Sequence, residues 1–496
     1  MTGNPAVVLP TACLFAGAFL VYLVARFITT RNVWLATLTA VPFLAALVAL
    51  ARLWPQVSAD RLPRWGYLGP DGAFLQADPG ALMLIGVVLG LGLLVTIFSG
   101  HYLSLDQRYE TYYPLLLLLA TGLTALVLAA DLFTLYLCCE LAGVAAYVLV
   151  AFRRRTDTAI EAGFKYLVMG SVGTIALLMG IAFIYRGTGS TALVQPGGAA
   201  SAWVQIGAAG LLLGLGVKSA VVPLHTWLPD AHGRAPSSIS AMLSGIVVQC
   251  NLYALIKAVL GVGLPASGLG TLLIGLSLAN MVVGNTMALV QTHTKRLLAY
   301  STVTQIGYIM LTIGIGLRSG QAATIGAGFF LLLASGVMKA LAFLCKGTHH
   351  FYSGGTTIAE LRGAAVSMPL VAGAFVVALA GMAGVPPLVG FTAKWFALKG
   401  MLASGDLVGY LGLAVFLVNS LLALGYYLPL IGTLFAKPPA PTGRVAVSTW
   451  MVLPVVALAA LTVALGLVPG PWLDWAEGAG AYLIGLSARL AAGTGG

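Results

Sequence analysis

Long apolar runs and short polar connections alternate along the whole chain. About fourteen runs meet or approach the roughly 20 apolar residues that a bilayer-spanning helix needs. They centre near residues 16, 43, 90, 121, 142, 173, 211, 249, 280, 306, 333, 374, 418 and 460. This pattern predicts an all-α polytopic membrane protein with almost nothing left over for a soluble domain. The longest connection, from Trp54 to Pro79, is rich in Gly, Pro and aromatic residues and has room for a short hairpin. The N-terminal MTGNPAVVLPTACLF lacks the basic start of a secretory signal and reads as a retained first span.

Two runs are interrupted by proline. In LGLGVKSAVVPLHTWLPDAHGRAPSSISAM, Lys218 precedes Pro223; in GMAGVPPLVGFTAKWF, Pro386 and Pro387 precede Lys394. Proline removes a backbone donor and forces unwinding, and irregular backbone at membrane depth is tolerated only beside protein or a water-filled cavity. Unwound chain is therefore expected at Ser219 to Leu224 and at Gly384 to Val389, facing protein rather than lipid. The interruptions fall in the seventh and twelfth runs, five apart. That is the placement expected of two inverted five-helix repeats around a transport path. The division that follows is residues 1–110 for spans one to three, 111–262 for the first repeat (spans four to eight), 263–436 for the second (spans nine to thirteen), and 437–496 for span fourteen and a tail.

Composition agrees with this reading. Hydrophobic residues make up 59% of the 496 and charged residues 8%, against about 25% charged in soluble domains. The net charge of +11 is not gathered into a stripe, which argues against nucleic acid. With both ends outside, the inside loops hold most of the basic residues, among them Arg26, Arg31, Arg108, Arg153, Arg154, Arg155, Lys295, Arg296 and Lys346, as the positive-inside rule requires. Cys13, Cys138, Cys139, Cys250 and Cys345 all lie in apolar sequence without a C-x-x-C pair, and no dinucleotide or Walker pattern occurs. No cofactor or metal is implied, and the chain is not expected to do redox chemistry by itself. His349 and His350 are read on a loop without further ligands, and His225 and His232 are seven apart across a proline-rich stretch, which is not a metalloprotease spacing.

Four ionisable residues remain deep in apolar sequence: Glu140, Lys218, Lys339 and Lys394. Each costs about 2.5–3.5 kcal/mol at a bilayer centre on insertion scales. Any one of them alone could snorkel or bridge packed helices; four together point to use. Glu140 is the lone carboxylate well inside a span, and a close Glu140–Lys218 pair across spans five and seven lowers the desolvation cost of both charges.

Four stretches then resemble one family: KSAVVPLHTWLPDAHGRAPSSISAMLSG (218–245), THTKRLLAYSTVTQIGYIML (292–311), VMKALAFLCKG (337–347) and GVPPLVGFTAKWF (384–396). They resemble the antiporter-like membrane subunits of respiratory complex I and of Mrp-type cation/proton antiporters, over roughly residues 80–430. DLFTLYLCCELAGVAAYVLVAF and EAGFKYLVMGSVGT look nearest to a smaller complex I subunit, and W-L-P-D-A-H looks nearer to the Mrp D-type subunit. The resemblance implies fourteen spans, two inverted repeats and a hydrated polar axis at the midplane of a cell inner (plasma) membrane. It carries proton translocation onto Glu140, Lys218, His225, Lys339 and Lys394. It also implies membrane subunits of a large complex as partners, with protons as the transported ions and Na+ as a further candidate.

The chain departs from the family pattern at three positions. Gln249 stands where many members have a lysine that links the two halves, Ser335 where many have a histidine, and His293 where an aspartate is common. A water-bridged path past Gln249 is expected, with Ser244, Thr304, Ser301 and Ser335 as partners for the water. Lys257 is read as too near the outer surface to replace Gln249. Three readings follow: a proton-translocating subunit of a complex I-related oxidoreductase, a subunit of a Mrp-type Na+/H+ antiporter, or a non-conducting scaffold of the same fold.

Overall fold

A computed structural model describes the chain except residues 1, 28–31, 59, 67–73, 107, 154–156, 194–200, 439–442 and 493–496. Of the predicted topology anchors, Arg31, Arg154 and Arg155 lie outside the described residues. The first six spans are α1 (Leu9–Phe27), α2 (Asn32–Leu53), α3 (Pro79–Tyr102), α4 (Tyr109–Leu128), α5 (Leu132–Val150) and α6 (Asp157–Thr188). The seventh is divided into α7 (Ala202–Lys218) and α8 (Trp227–Arg234). The eighth joins α9 (Ser237–Met242) to α10 (Val248–Gly261) through a π-helical turn at Leu243–Val247. The ninth to eleventh are α11 (Ala266–Leu289), α12 (Thr294–Ser319) and α13 (Ala322–Ser353). A short α14 (Ala364–Ser367) leads into the divided twelfth, α15 (Pro369–Ala383) and α16 (Val389–Ala403), and α17 (Leu407–Phe435), α18 (Thr449–Leu467) and α19 (Gly470–Ala492) complete the chain. Among the described residues, twelve helical spans are long and apolar enough to cross a bilayer. The two divided spans bring the set to fourteen, at the predicted positions.

Local chemistry sets where these helices begin. Asp78, Asp131 and Asp406 are N-caps whose carboxylates accept from the amides of Ala81 (2.8 Å), Thr134 (2.7 Å) and Gly409 (2.8 Å), which satisfies donors that a helix start leaves open. The connection after α2 holds the expected hairpin, β2 (Arg64–Gly66) paired antiparallel with β3 (Phe74–Gln76). The N-terminal β1 (Thr2–Gly3) adds a third strand, too short to leave any periodic signal.

Both interruptions end their first half-helix in the same way. Ala220 (φ 54°) and Gly384 (φ 95°) take left-handed conformations. The next amide then reaches back five residues, Val221 to the Gly216 carbonyl and Val385 to the Ala380 carbonyl, each at 3.0 Å. This is the Schellman closure of a helix C-terminus. In the first break the remaining groups are met by side chains. Asn280 of α11 accepts from the Val222 amide at 2.9 Å, and the Trp227 indole donates to the Val217 carbonyl at 2.8 Å. The half-helix α7 is held against α6 by near-bare backbone: a Cβ on Gly210 or Gly214 would come within 2.8 Å of the Ala176 or Gly173 carbonyl oxygen. Small residues of this kind allow close packing where the hydrophobic effect offers no drive between helices.

Three expectations need correction. The unwound stretches are residues 219–226 and 384–388, and the first is largely buried, but Val385, Pro386 and Pro387 in the second face outward. Lys394 approaches this break from the inner side, so only one face of it is lined by the bundle. His349 and His350 are not on a loop, because α13 runs on to Ser353 before Gly354 caps it in a left-handed conformation. The stretch after span fourteen is no tail either. Beyond a break at Val468–Pro469 it continues as α19, which runs antiparallel to the start of α13, with Gly326 against Glu477 and Ala322 against Gly480. Asp474, Glu477 and the glycines just after them, Gly478 and Gly480, masked this helix in the hydrophobic pattern.

The two left-handed positions give opposite expectations. Gly384→Ala adds a Cβ where φ is positive, 3.2 Å from the Lys394 stem, and should destabilise the detergent-solubilised protein by about 1–2 kcal/mol. Ala220→Gly should be neutral or stabilising. Thermal midpoints followed by size-exclusion chromatography decide between them.

Candidate functional site

The charged group at the first break is built from three spans. Lys218 is the last residue of α7 and is buried. Its ammonium donates to the Glu140 carboxylate at 2.9 Å and to the Tyr147 hydroxyl at 3.1 Å, both on α5. Thr174 of α6 donates to the same Glu140 oxygen at 2.6 Å. Glu140 and Tyr147 are seven residues apart, two turns along one helix face, and Gly143 lies between them. A Cβ on Gly143 would sit 2.8 Å from the ammonium, and one on Gly170 of α6 would sit 1.9 Å from the Tyr147 hydroxyl. Two glycines thus make the room that the ion pair occupies. Lys218 is 4% exposed and Glu140 31%, so the carboxylate lies at the edge of the bundle and the ammonium inside it. The expected close pair is present.

Gln249 stands between the halves on α10, 1% exposed. With its amide oriented to satisfy both ends, its nitrogen donates to the Gly245 carbonyl at 2.9 Å and to the Leu332 carbonyl of α13 at 3.2 Å. The π-helical turn just before it widens the helix and frees carbonyls for such contacts. Ser335 lies one turn before Lys339 on α13 and is buried.

Lys339 belongs to the eleventh span and is fully buried. It donates to the Leu298 carbonyl at 3.0 Å and to the Ser301 hydroxyl on α12, with no carboxylate in hydrogen-bond range among the described residues. From Ser301 polar side chains continue: Tyr427 faces Ser301 and Gln305, and its neighbour Tyr426 donates to the Asn285 carbonyl oxygen at 3.0 Å. Thr304 donates to the same oxygen at 3.3 Å, and the Asn285 amide donates to Asn419 at 3.0 Å. At the far end Lys394 lies 5.4 Å from the centre of the Tyr308 ring and donates to the Ala383 carbonyl, the last of α15, at 3.2 Å. Of the residues expected to hold water, Ser301 and Thr304 line this chain. Ser244 instead pairs with Thr302 at 2.6 Å.

His225 closes the first break, with its ring 6.4 Å from that of Tyr300 and its Nδ1 without a partner among the described residues. The sequence also hid a second buried ion pair. Lys257, 2% exposed rather than near the surface, donates to Asp78 at 2.9 Å and to the Val127 carbonyl at 3.0 Å, and Tyr253 donates to the other Asp78 oxygen. Asp78 opens α3 and Lys257 sits near the end of α10, so each looks terminal in sequence. Only the packing of α3, α4 and α10 buries them together. At the opposite, basic end, Asp230 of the W-L-P-D-A-H motif pairs with Arg296 of α12 (2.6 Å) and Lys165 of α6 (3.3 Å), fixing α8 between them.

A protein-family model described as NADH:quinone oxidoreductase/Mrp antiporter, TM matches residues 129–423, more than half of the chain. NADH-quinone oxidoreductase subunit N of Desulforudis audaxviator is 32% identical over 485 residues, covering 93% of this chain and 94% of its own. The chain belongs to this family. The fold matches as well. A chain of the membrane-bound sulfane sulfur reductase, an archaeal respiratory membrane complex, superposes with a TM-score of 0.85 at 27% identity, covering 99% of this chain and 100% of its own. A chain of the Mrp complex from Dietzia sp. DQ12-45-1b gives 0.89 at 23% identity over 99% and 100%, a likeness of fold. Membership in the family makes this a multi-span membrane subunit, and the match extends beyond the 80–430 region that the motifs alone covered.

The Asp78–Lys257 pair should behave as a structural unit. Lys257→Met leaves an uncompensated buried carboxylate and should cost about 3–5 kcal/mol. Adding Asp78→Asn should recover much of that loss, as read from the thermal midpoints of the two single variants and the double variant.

Proposed function

We propose that this chain is a proton-translocating, antiporter-like subunit of a complex I-related oxidoreductase in the plasma membrane, working beside other membrane subunits and driven by redox partners elsewhere in the complex. The observation that carries the reading is the buried Lys218 ammonium, held at a helix break by a single carboxylate that other elements leave partly open. A proton delivered to Glu140 removes its charge. Lys218 then loses its counter-ion inside a low-dielectric bundle, which favours passing its own proton inward. The next acceptors along the midplane are Lys339 and Lys394, with Gln249 and His225 as polar groups that orient the path. The names of the relatives, NADH-quinone oxidoreductase subunit N, support NADH and quinone as the outer partners of such a complex. No cofactor is assigned to this chain.

The division into two inverted repeats, residues 111–262 and 263–436, belongs to the same proposal. Its support is that the two breaks lie five spans apart and close with the same five-residue backbone bond. Each break also has its lysine: Lys218 is the last residue of α7, and Lys394 donates to the last carbonyl of α15. Alternation between the halves would then move a proton from one lysine to the next.

Glu140→Gln should abolish donor-driven proton translocation in vesicles while leaving the amount of assembled complex unchanged, since Gln keeps the shape and still accepts from Thr174 and Lys218. Translocation at the wild-type level with full assembly would move the chain to the scaffold reading. Gln249→Lys should assemble, because the Gly245 and Leu332 carbonyls that receive the amide can receive an ammonium. A native gel scores that outcome.

A further inference from the structure

Toward the end rich in lysine and arginine, the bundle buries several basic groups beneath Lys339. On α13, Lys339, Phe343, Lys346 and His350 follow at steps of four, three and four residues, one face of the helix covering about 16 Å of axis. His232 of α8 lies against this face. Its ring stacks on Phe343 with centroids 4.8 Å apart, it is fully buried, and neither ring nitrogen has a hydrogen-bond partner among the described residues. The two charges that act on it are those of Lys339 and Lys295. Lys295, buried in the first turn of α12, donates to the Ala235 carbonyl at 2.8 Å and lies within range of Lys346 and Arg153. Lys346 and the His350 ring both meet the Gly355 carbonyl, at 2.5 and 3.1 Å, and His350 is only partly buried. The nearby carboxylate, Glu360, is engaged by the Thr356 and Thr357 amides and the Thr357 hydroxyl at 2.7–2.8 Å.

Burial penalises each of these charges, and like charges repel, so the groups cannot all be protonated at once and must titrate as a set. Such a set passes protons along. We propose that His350, Lys346, Lys295 and His232 form the route by which protons reach Lys339 from the basic side; this rests on the translocation reading above. In the step at His232, relayed through water because neither lysine lies within hydrogen-bond distance of the ring, one N–H bond of the Lys295 ammonium breaks as an N–H bond forms at one ring nitrogen. The N–H bond at the other ring nitrogen then breaks as the neutral Lys339 amine takes the proton. Lys295 is left neutral and Lys339 charged, and the ring is left in its other tautomer. A histidine with both nitrogens unengaged is suited to this two-ended transfer. A histidine placed there for structure would have at least one nitrogen bonded.

The test uses inverted membrane vesicles that contain the assembled complex, with NADH as donor. It reads lumen acidification, NADH oxidation and the amount of complex on a native gel. His232→Phe keeps the stack and removes both nitrogens, and acidification should fall roughly ten-fold or more with the complex still assembled. His232→Gln restores polarity without a titrating group and should remain impaired, whereas a structural role would be rescued by it. Wild-type acidification by either variant, with Glu140→Gln inactive, overturns the uptake route. Wild-type acidification by Glu140→Gln as well overturns the proposed function itself. Should neither His232 variant assemble, His350→Asn at the partly exposed end decides: slowed acidification supports the route, and an unchanged rate overturns it.

Discussion

A helix that stops inside an apolar bundle leaves carbonyl groups that water cannot reach, and the partial negative charge of that end remains uncompensated. The fold meets this problem twice, at Lys218 and at Ala383, and a lysine belongs to each break, as the last residue of α7 and as the donor to the last carbonyl of α15. At the second break the ammonium meets the open carbonyl directly. At the first, the Val221 amide and the Trp227 indole close the helix end, and Lys218 is held by Glu140 and Tyr147 of α5.

Around that constraint the two halves differ in the company given to their ammonium groups. Lys218 has a carboxylate, a tyrosine hydroxyl and two glycines that make space for it. Lys339 has a backbone carbonyl and a serine, and Lys394 a carbonyl and the face of a tyrosine. A charge with a counter-ion is held firmly, while one answered only by dipoles is more easily given up. This gradient of counter-charge, set by which helices meet, gives a direction to a series of chemically similar groups. The Asp78–Lys257 pair stands apart, tied to β3 and to α3, α4 and α10 near the opposite end, where it fastens helices together.

The packing that permits this is made of small residues. Gly210 and Gly214 bring α7 onto α6, and Gly143 and Gly170 open the space for the ammonium and the tyrosine hydroxyl. Asn280 completes the first break from α11, a helix of the proposed second repeat. The break is therefore stabilised by a helix outside the proposed first repeat, which couples any movement of the unwound segment to that helix.

The sequence by itself determined the fourteen spans, their two interruptions and the family, because a bilayer imposes one length and one polarity on every crossing, and proline next to a buried lysine has few other uses. The Glu140–Lys218 pair was legible for the same reason: a lone carboxylate at membrane depth needs a counter-charge. Only the tertiary structure decided the rest. Asp78 and Lys257 each lie near a helix end, and nothing in linear sequence says that the packing of α3, α4 and α10 buries them together. Tyr426, Tyr427 and Asn285 are ordinary residues of apolar helices until α11, α12 and α17 meet. His232 reads as one polar residue in a connecting motif, and it becomes a fully buried ring stacked on Phe343 only when α8 folds against α13. The outward face of the second break and the helix after span fourteen were missed because both depend on neighbours. Hydrophobic pattern reports how often a residue meets an apolar surrounding, and it does not report which neighbour supplies it.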